Sequence, residues 1–472
     1  MTERKPEGVI ASHTRAAALV AAALLGGCSL IPAYERPAAP VPQTFGTGQP
    51  AAAPDLPAAA ETLPDWQSYF PDPALHALVE AALANNRDLR LALARVEEAR
   101  ALAGVARADR FPTLAAQADG SRTRTPADLS STGTARTSSR YDANLGITAF
   151  ELDFWGRVAA LSDAARAQYL ASDEAAQSFR VSLIGDVVST AYQFAALAEQ
   201  SRLADETLKT RAESLDLIRK RFDAGLASQL DVLAAESLVE TVRAQAADLA
   251  RQRAQAENAL RLLVGATDTV PTASVLAPLS ELTPGLPSDV LLRRPDVRAA
   301  EQRLIASNAN IGAARAAFFP RIALTGEFGT ASSALSGLFG SGSTAWLFQP
   351  VLSLPLFDAG RNQANLEVAQ ARKVQAVADY EKTLQQAFRE VADALSARTT
   401  YRDQLTAQEA NLRTQEARLE RVQARERAGL SSYLEVLDAS RDAFSAQQAV
   451  VTTRLQLQSA RIALYKALGG GA

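Results

Sequence analysis

The 472-residue chain has one cysteine, two histidines and one methionine. A lone thiol excludes an intrachain disulfide. His13 stands near the start and His76 stands alone, and one cysteine beside them supplies no ligand set for zinc and no base for a nucleophilic triad. His76 reads as a packing residue. The Gly-rich stretch GLFGSGST (337–344) lacks the lysine of a phosphate-binding loop. Charge of one sign is also missing: 49 basic and 52 acidic residues are well mixed, for a net charge of -3. That gives no electrostatic case for nucleic acid as a partner. No apolar run reaches the ~18–20 residues of a membrane-spanning helix. A membrane β-barrel stays open, because alternating strands hide in an averaged hydropathy. Proline is absent between Pro126 and Pro271 and again after Pro355.

The cysteine has an informative context. Arg4, Lys5 and Arg15 precede AAALVAAALLGG (16–27), too short to span a bilayer but suited to a signal peptide. Leu25, two glycines and Cys28 resemble the bacterial lipobox. By that resemblance 1–27 is a lipoprotein signal peptide, and Cys28 carries N-acyl and S-diacylglycerol lipid. Ser29 favours outer membrane sorting. Several acyl chains, at ~0.8 kcal/mol per buried CH₂, suffice for stable anchoring. No other cofactor and no metal is implied. Residues 28–74, rich in proline and alanine, read as an extended tether or a strap over the folded body.

The remainder is written twice. RFDAGLASQLDVL (221–233) and RERAGLSSYLEVL (425–437) are identical at eight of thirteen positions, at an offset of 204. Asp88 and Asp296 each stand near the start of a helical pattern that closes on Phe-Pro, at Pro112 and Pro320, an offset of 208. Gly156-Arg157 matches Gly360-Arg361, again at 204. The four-residue change falls between Pro112 and Gly156, where a variable loop is expected. The division is therefore a first repeat over 75–265, an equatorial linker over 266–290 and a second repeat over 291–472.

Each Pro-free tract reads as a long helix, a tight turn and a long helix back. Gly225 and Gly429 can take the left-handed conformation that ends a helix, and Ser228 or Ser431 can cap the next. Leu384, Phe388, Val391, Leu395, Leu405, Leu412, Leu419 and Val422 keep mostly heptad-compatible spacing, as do Leu434, Leu437, Phe444, Val451, Leu455, Ile462 and Tyr465. The first copy behaves alike, with Leu208, Leu215, Ile218 and Phe222 outward and Val239, Val242, Leu249, Leu260 and Leu263 returning. A helix from Arg157 to the turn would be roughly 100 Å long at ~1.5 Å per residue.

Four shorter segments alternate instead: TLAAQADGSRTRT, YDANLGITAFELDFW, RIALTGEFGTA and WLFQPVLSLPLF, the last with Trp346, Phe348, Leu352, Leu354 and Leu356 on one face. Each has about the length of a tilted membrane strand. The connections PADLSSTGTARTSS and SSALSGLFGSGST read as exposed loops. Four strands cannot close a barrel. An open sheet in lipid leaves edges unpaired, so copies of the chain must share one barrel.

The lipobox, the duplicated plan, LLRRPDVRAAEQRL, IGAARAAFFPRIALTGEFG, WLFQPVLSLPLFDAGR and the terminal LYKALGGG together resemble the TolC family of outer membrane factors. The match is nearest its efflux lipoprotein branch (OprM/NodT-like). The resemblance implies a homotrimer with a 12-stranded outer membrane barrel, four strands per chain, continuing into a periplasmic α-helical coiled-coil barrel. It implies the exit duct of a tripartite pump, with a periplasmic adaptor and an inner-membrane transporter of the RND type as partners, and no enzymatic chemistry. Arg221, Gly225, Leu226 and Ser228 of the first tip, and Arg425, Gly429, Leu430 and Ser432 of the second, would meet the adaptor. Leu434, Asp438 and Arg441 would form gate rings, since the matching first-copy residues Ala234 and Ser237 lack both charges. A type I protein-secretion duct and a periplasmic coiled-coil scaffold lipoprotein are the alternatives. The cargo is not legible. The Arg293-Arg294-Pro295-Asp296 motif reads as a helix start with structural arginine pairs.

Overall fold

A computed structural model describes residues 29–45, 65–265, 279 and 288–470. Cys28 and nearly all of the expected linker lie outside these residues. Two short helices come first, α1 (Trp66–Tyr69) and α2 (Pro73–Asn85). Then one order of elements occurs twice. Helix α3 (Arg87–Ala108) leads to strands β1 (Leu114–Thr125) and β2 (Arg136–Glu151), then to helices α4 (Arg157–Asp223) and α5 (Gln229–Val264). Helix α6 (Pro295–Ala316) leads to β3 (Arg321–Ser332) and β4 (Thr344–Ser353), then to α7 (Arg361–Arg427) and α8 (Tyr433–Ala467). Both outgoing helices, α4 and α7, have 67 residues. Gly156 and Gly360, at φ 70° and 85°, precede them in the left-handed conformation that glycine tolerates.

Three expectations change. The longer first copy carries its extra residues in β2, 16 residues against 10 in β4, and not in a hairpin loop. Strand β2 begins at Arg136, inside the expected loop. Strand β4 ends at Ser353, so Leu354 and Leu356 lie beyond it; Pro355 cannot donate to a ladder. Helix α4 also contains a stretch apolar enough, by length and composition, to cross a membrane. More than half of it, 56%, is buried against the rest of the fold, which marks it as core.

The chain divides into two compact units. One contains the described residues up to Pro37, with Val96–Ser172 and Ala300–Tyr380. Its centre is one antiparallel sheet of order β1-β2-β3-β4. The register pairs Leu114 with Ile147, Leu145 with Phe328, and Phe328 with Trp346. Directly paired residues share a face, so Leu114, Ala116 and Ala118 join Ala143, Leu145, Ile147, Leu324, Phe328, Trp346, Phe348 and Leu352 in one apolar surface. The opposite face is polar, with Gln117, Asp119, Asp142, Asn144 and Glu327; the Asn144 amide donates to Glu327 at 2.9 Å. A register shift between Ile147 and Phe150 places Ala149 at φ 52°, a bulge whose N–H is taken by the Thr325 hydroxyl at 3.1 Å. At the strand-to-helix exit, Glu151 accepts two hydrogen bonds from Arg157 at 2.8 Å and two from Arg321 at 2.6 and 3.1 Å. The Trp155 indole stacks on Phe319 and donates to the Pro320 carbonyl at 2.8 Å.

Residues 29–37 run along α6. Arg36 makes a bidentate pair with Glu301 at 2.7 and 3.0 Å, and the Tyr34 hydroxyl donates to the same carboxylate at 3.0 Å. Asn308 donates to the Pro32 carbonyl at 2.7 Å. Gly312 lets the strap approach, since a Cβ there would lie 2.9 Å from the Ile31 backbone.

The other unit contains the described parts of Ala38–Arg95, Asp173–Ala299 and Glu381–Ala472. Its main core joins α1 and α2 to α4, α5 and α8 through Tyr69, Phe70, Leu75, Val79, Val187, Leu260, Ile462 and Tyr465. Tyr69 stacks on Tyr465 at 4.6 Å and donates its hydroxyl to the Arg461 carbonyl at 3.1 Å; burial pushes its pKa up to about 12. His76 packs edge-on against Trp66 and its ring N–H faces the Phe70 carbonyl at 2.5 Å. Arg294 is buried and binds Asp296 at 2.7 Å, Glu390 at 2.9 Å and the Ala467 carbonyl, which ties the Arg-Arg-Pro-Asp motif to the end of α8.

Gly104 and Gly312 occupy equivalent positions in α3 and α6, yet a Cβ at Gly104 meets nothing within 4 Å. The same substitution should therefore have opposite effects. Gly104→Ala should stabilise by up to ~1 kcal/mol through helix propensity. Gly312→Ala should lower the Tm and speed chymotryptic cleavage after Tyr34, because the strap is pushed off α6. Paired thermal melts and digestion time courses check both.

Candidate functional site: the hairpin tips

The two tips are the same turn. After α4, the Gly225 N–H donates to the Phe222 carbonyl at 2.9 Å and the Leu226 N–H to the Arg221 carbonyl at 2.8 Å. After α7, Gly429 donates to Glu426 at 2.9 Å and Leu430 to Arg425 at 2.9 Å. This is the Schellman pattern, and it requires the left-handed φ of 72° and 73° seen at the two glycines.

The helix starts beyond the turns differ in detail. Ser228 and Asp231 form a capping box: the Asp231 N–H donates to the Ser228 hydroxyl at 3.2 Å, and Asp231 accepts from the Ser228 N–H at 2.9 Å. The Ser228 hydroxyl also donates to Asp231, and these bonds hold that carboxyl below the ordinary range. In the second tip the cap is Ser432 and not Ser431. Ser431 instead donates its hydroxyl to Glu435 at 2.6 Å, which lowers the Glu435 pKa.

The tip arginines part company. Arg425 donates to the Leu430 carbonyl at 3.2 Å and so closes its own turn. Arg221 donates to Glu426 at 2.7 Å, a bond between the two hairpins. Neither guanidinium is thus a freely presented contact. The leucines are: Leu226 is 79% and Leu430 70% exposed, with Leu230 and Leu233 exposed beside them.

Just past the second tip, Leu434 is 56% exposed, and Arg441 pairs with Asp438 at 3.3 Å and with Asp442 at 3.5 Å. Arg418 of α7 holds Asp442 from the other side at 2.8 Å. The structure therefore brings Asp438 and Arg441 together and leaves Leu434 open on the same helix.

Sequence reasoning missed three residues of this region. Glu426 receives Arg221. Tyr433, which opens α8, packs against the small core of Leu215, Ala235 and Val239 in the first hairpin, and burial raises its pKa. Arg211 of α4 is buried, donates to the Leu238 carbonyl at 3.2 Å and lies 5.6 Å from the Phe444 ring centroid; burial first, and Arg441 second, lower its pKa. A signal existed: Glu426, Tyr433 and Phe444 stand where the first copy has Phe222, Gln229 and Glu240.

With this geometry in hand, the chain matches the family described as outer membrane efflux protein over residues 78–266 and 286–470. It is 49% identical over 454 residues to the solvent efflux pump outer membrane protein SrpC of Pseudomonas putida, covering 95% of this chain and 96% of the relative. It is 47% identical over 459 residues to the outer membrane protein OprJ of Pseudomonas aeruginosa, covering 96% and 95%. Among solved structures, a membrane protein from Pseudomonas aeruginosa superposes with a TM-score of 0.88 at 45% identity, covering 94% of this chain and 98% of that one. The open state of the Neisseria gonorrhoeae MtrE outer membrane channel gives 0.84 at 38% identity, covering 94% and 98%. The chain belongs to the outer membrane efflux protein family and is the outer membrane component of an efflux pump.

Proposed function

We propose that three copies of this chain close one 12-stranded barrel and form a continuous exit duct, gated at the hairpin tips. The sheet carries this reading. Among the described residues, strands β1 and β4 each have a partner on one side only, while one face is apolar across all four strands. In hydrocarbon every unpaired backbone group costs several kcal/mol. Placing β4 of one copy beside β1 of the next removes both edges and continues the antiparallel order. Exposed Leu91, Leu93, Leu102 and Val105 on α3 supply further apolar surface for neighbouring copies.

The pump partners follow from the same reading. A periplasmic adaptor would dock on the exposed leucines of the tips, Leu226 and Leu430, and an RND-type transporter in the inner membrane would supply the driving force. Relatives are named for solvent and toluene efflux. Small, largely apolar molecules are therefore the proposed cargo of this chain too. Cys28 is proposed to bear the lipid anchor. Three-fold symmetry would repeat Leu434, Asp438 and Arg441 as an apolar collar, an acidic ring and its basic partners, a constriction that carboxylates make cation-favouring.

Cross-linking of the purified protein should give a trimer, and that trimer should conduct in a planar bilayer. A folded monomer that passes no ions would overturn the duct. Cys28→Ser should remove the acyl mass from the mature protein, read by mass spectrometry of the intact chain.

For the gate, Asp438→Ala should raise resting conductance several-fold while lowering stability by no more than ~0.5 kcal/mol, the worth of an exposed i,i+3 pair. Glu426→Ala, which frees Arg221, should change conductance in the same direction. Unchanged single-channel currents in both variants would remove the gate assignment.

A further inference from the structure

The two faces of the sheet differ in charge as well as polarity. On the polar face lie Asp119, Asp142 and Glu327, with Arg140 bound to Asp142 at 2.8 Å. On the apolar face the strands carry no acidic residue. They carry two bases, Arg122 and Arg124, placed there by the register that pairs Arg122 with Ser139 and Arg124 with Thr137. Both are exposed, and neither has an ion-pair or hydrogen-bond partner among the described residues.

Their height is set by the strand. A residue in a membrane strand tilted by ~40° gains roughly 2.5 Å along the bilayer normal. Counting from Leu114, at the end of β1 nearest the helices, Arg122 lies at about 20 Å and Arg124 at about 25 Å. The apolar band of such barrels is ~25 Å tall. Tyr141, paired with Gly120, falls just short of that height on the same face, where aromatic girdles sit. The guanidinia therefore reach the headgroup layer at the membrane surface remote from the helices, above an apolar wall.

We propose that Arg122 and Arg124 bind the phosphate of a phosphorylated outer-leaflet lipid, whose acyl chains lie against the apolar face below. Two guanidinia two residues apart on one strand can clamp a phosphate group through charge-assisted hydrogen bonds. The absence of acid on that face leaves the anion unopposed. Because the duct reading requires only that this face meet lipid, lipid specificity adds to it and can fail without it.

The test is native mass spectrometry of the detergent-extracted full chain, incubated with lipid A or with its dephosphorylated form. The unaltered chain should retain lipid A, and R122Q/R124Q should lose roughly tenfold or more of that retention, at ~1 kcal/mol per basic side chain near an anionic surface. Arg136→Gln, at similar height but on the polar face opposite Thr125, should change little. Equal retention by the double variant, or an equal loss in Arg136→Gln, overturns the proposal. Should the double variant not assemble, equal retention of the two lipid forms by the unaltered chain overturns it as well. Conductance is recorded on the same preparations: a chain that conducts normally but does not prefer the phosphorylated lipid sinks this site and leaves the duct standing.

Discussion

Backbone hydrogen bonding in hydrocarbon is the constraint on which the rest of the structure depends. A four-stranded sheet with an apolar face can lie against lipid, but β1 and β4 then expose rows of N–H and C=O groups that water cannot reach. Side chains cannot remedy this, because the deficit is in the main chain. Only another strand can, and the antiparallel order admits only β4 of one copy beside β1 of another. Assembly is thus forced by the strand count. The aqueous interior follows from the size of the ring that results. The polar face then needs no core of its own, and Gln117, Asn144 and Glu327 can line it.

The same constraint explains the junction between strands and helices. Each chain leaves the membrane layer through a glycine in the left-handed conformation, and it does so with its direction fixed. Glu151 holds Arg157 and Arg321 together, so the end of β2, the start of β3 and the first turn of α4 share one ionic knot. Trp155 closes the gap against Phe319 and Pro320. A 67-residue helix amplifies any error at its root, which gives such a knot its value.

Much of this was legible in the linear order of residues, for physical reasons. Helices need uninterrupted N–H donors, so the proline-free tracts mark their extent, and the glycine of each turn marks its end. Strand faces follow from alternation. Strand ends were harder: β2 reaches back to Arg136 because its partner β1 supplies a ladder for polar residues that have no strand preference of their own. Partners distant in sequence were illegible. Nothing near Arg221 announces Glu426, 205 positions away, and the choice between Ser431 and Ser432 as cap depends on a single turn of backbone. The differences between the copies were nevertheless visible. They coincide with the contacts that join one hairpin to the other.

That coincidence bears on the proposed gate. Two identical hairpins would pack as equivalents, and neither would have a reason to bend. Here the turn geometry is kept, because Gly225 and Gly429 take without strain a left-handed conformation that other residues resist, while the side chains around it diverge. Arg425 is consumed by its own turn, whereas Arg221 reaches across to Glu426. Tyr433 fills a small core belonging to the first hairpin, and Arg211 lies beside Phe444 with Arg441 close enough to depress its pKa. The second hairpin is therefore held to the first by a few replaceable contacts near the tip, while the broad apolar core sits at the far end of the same helices. Contacts of that kind are individually weak: the part-exposed Arg221–Glu426 pair contributes up to about 1 kcal/mol. A docking partner that supplies only modest binding energy at the leucine-rich tips can outcompete them without disturbing the core. In the proposed duct, this asymmetry would put the movable part where a partner can reach it.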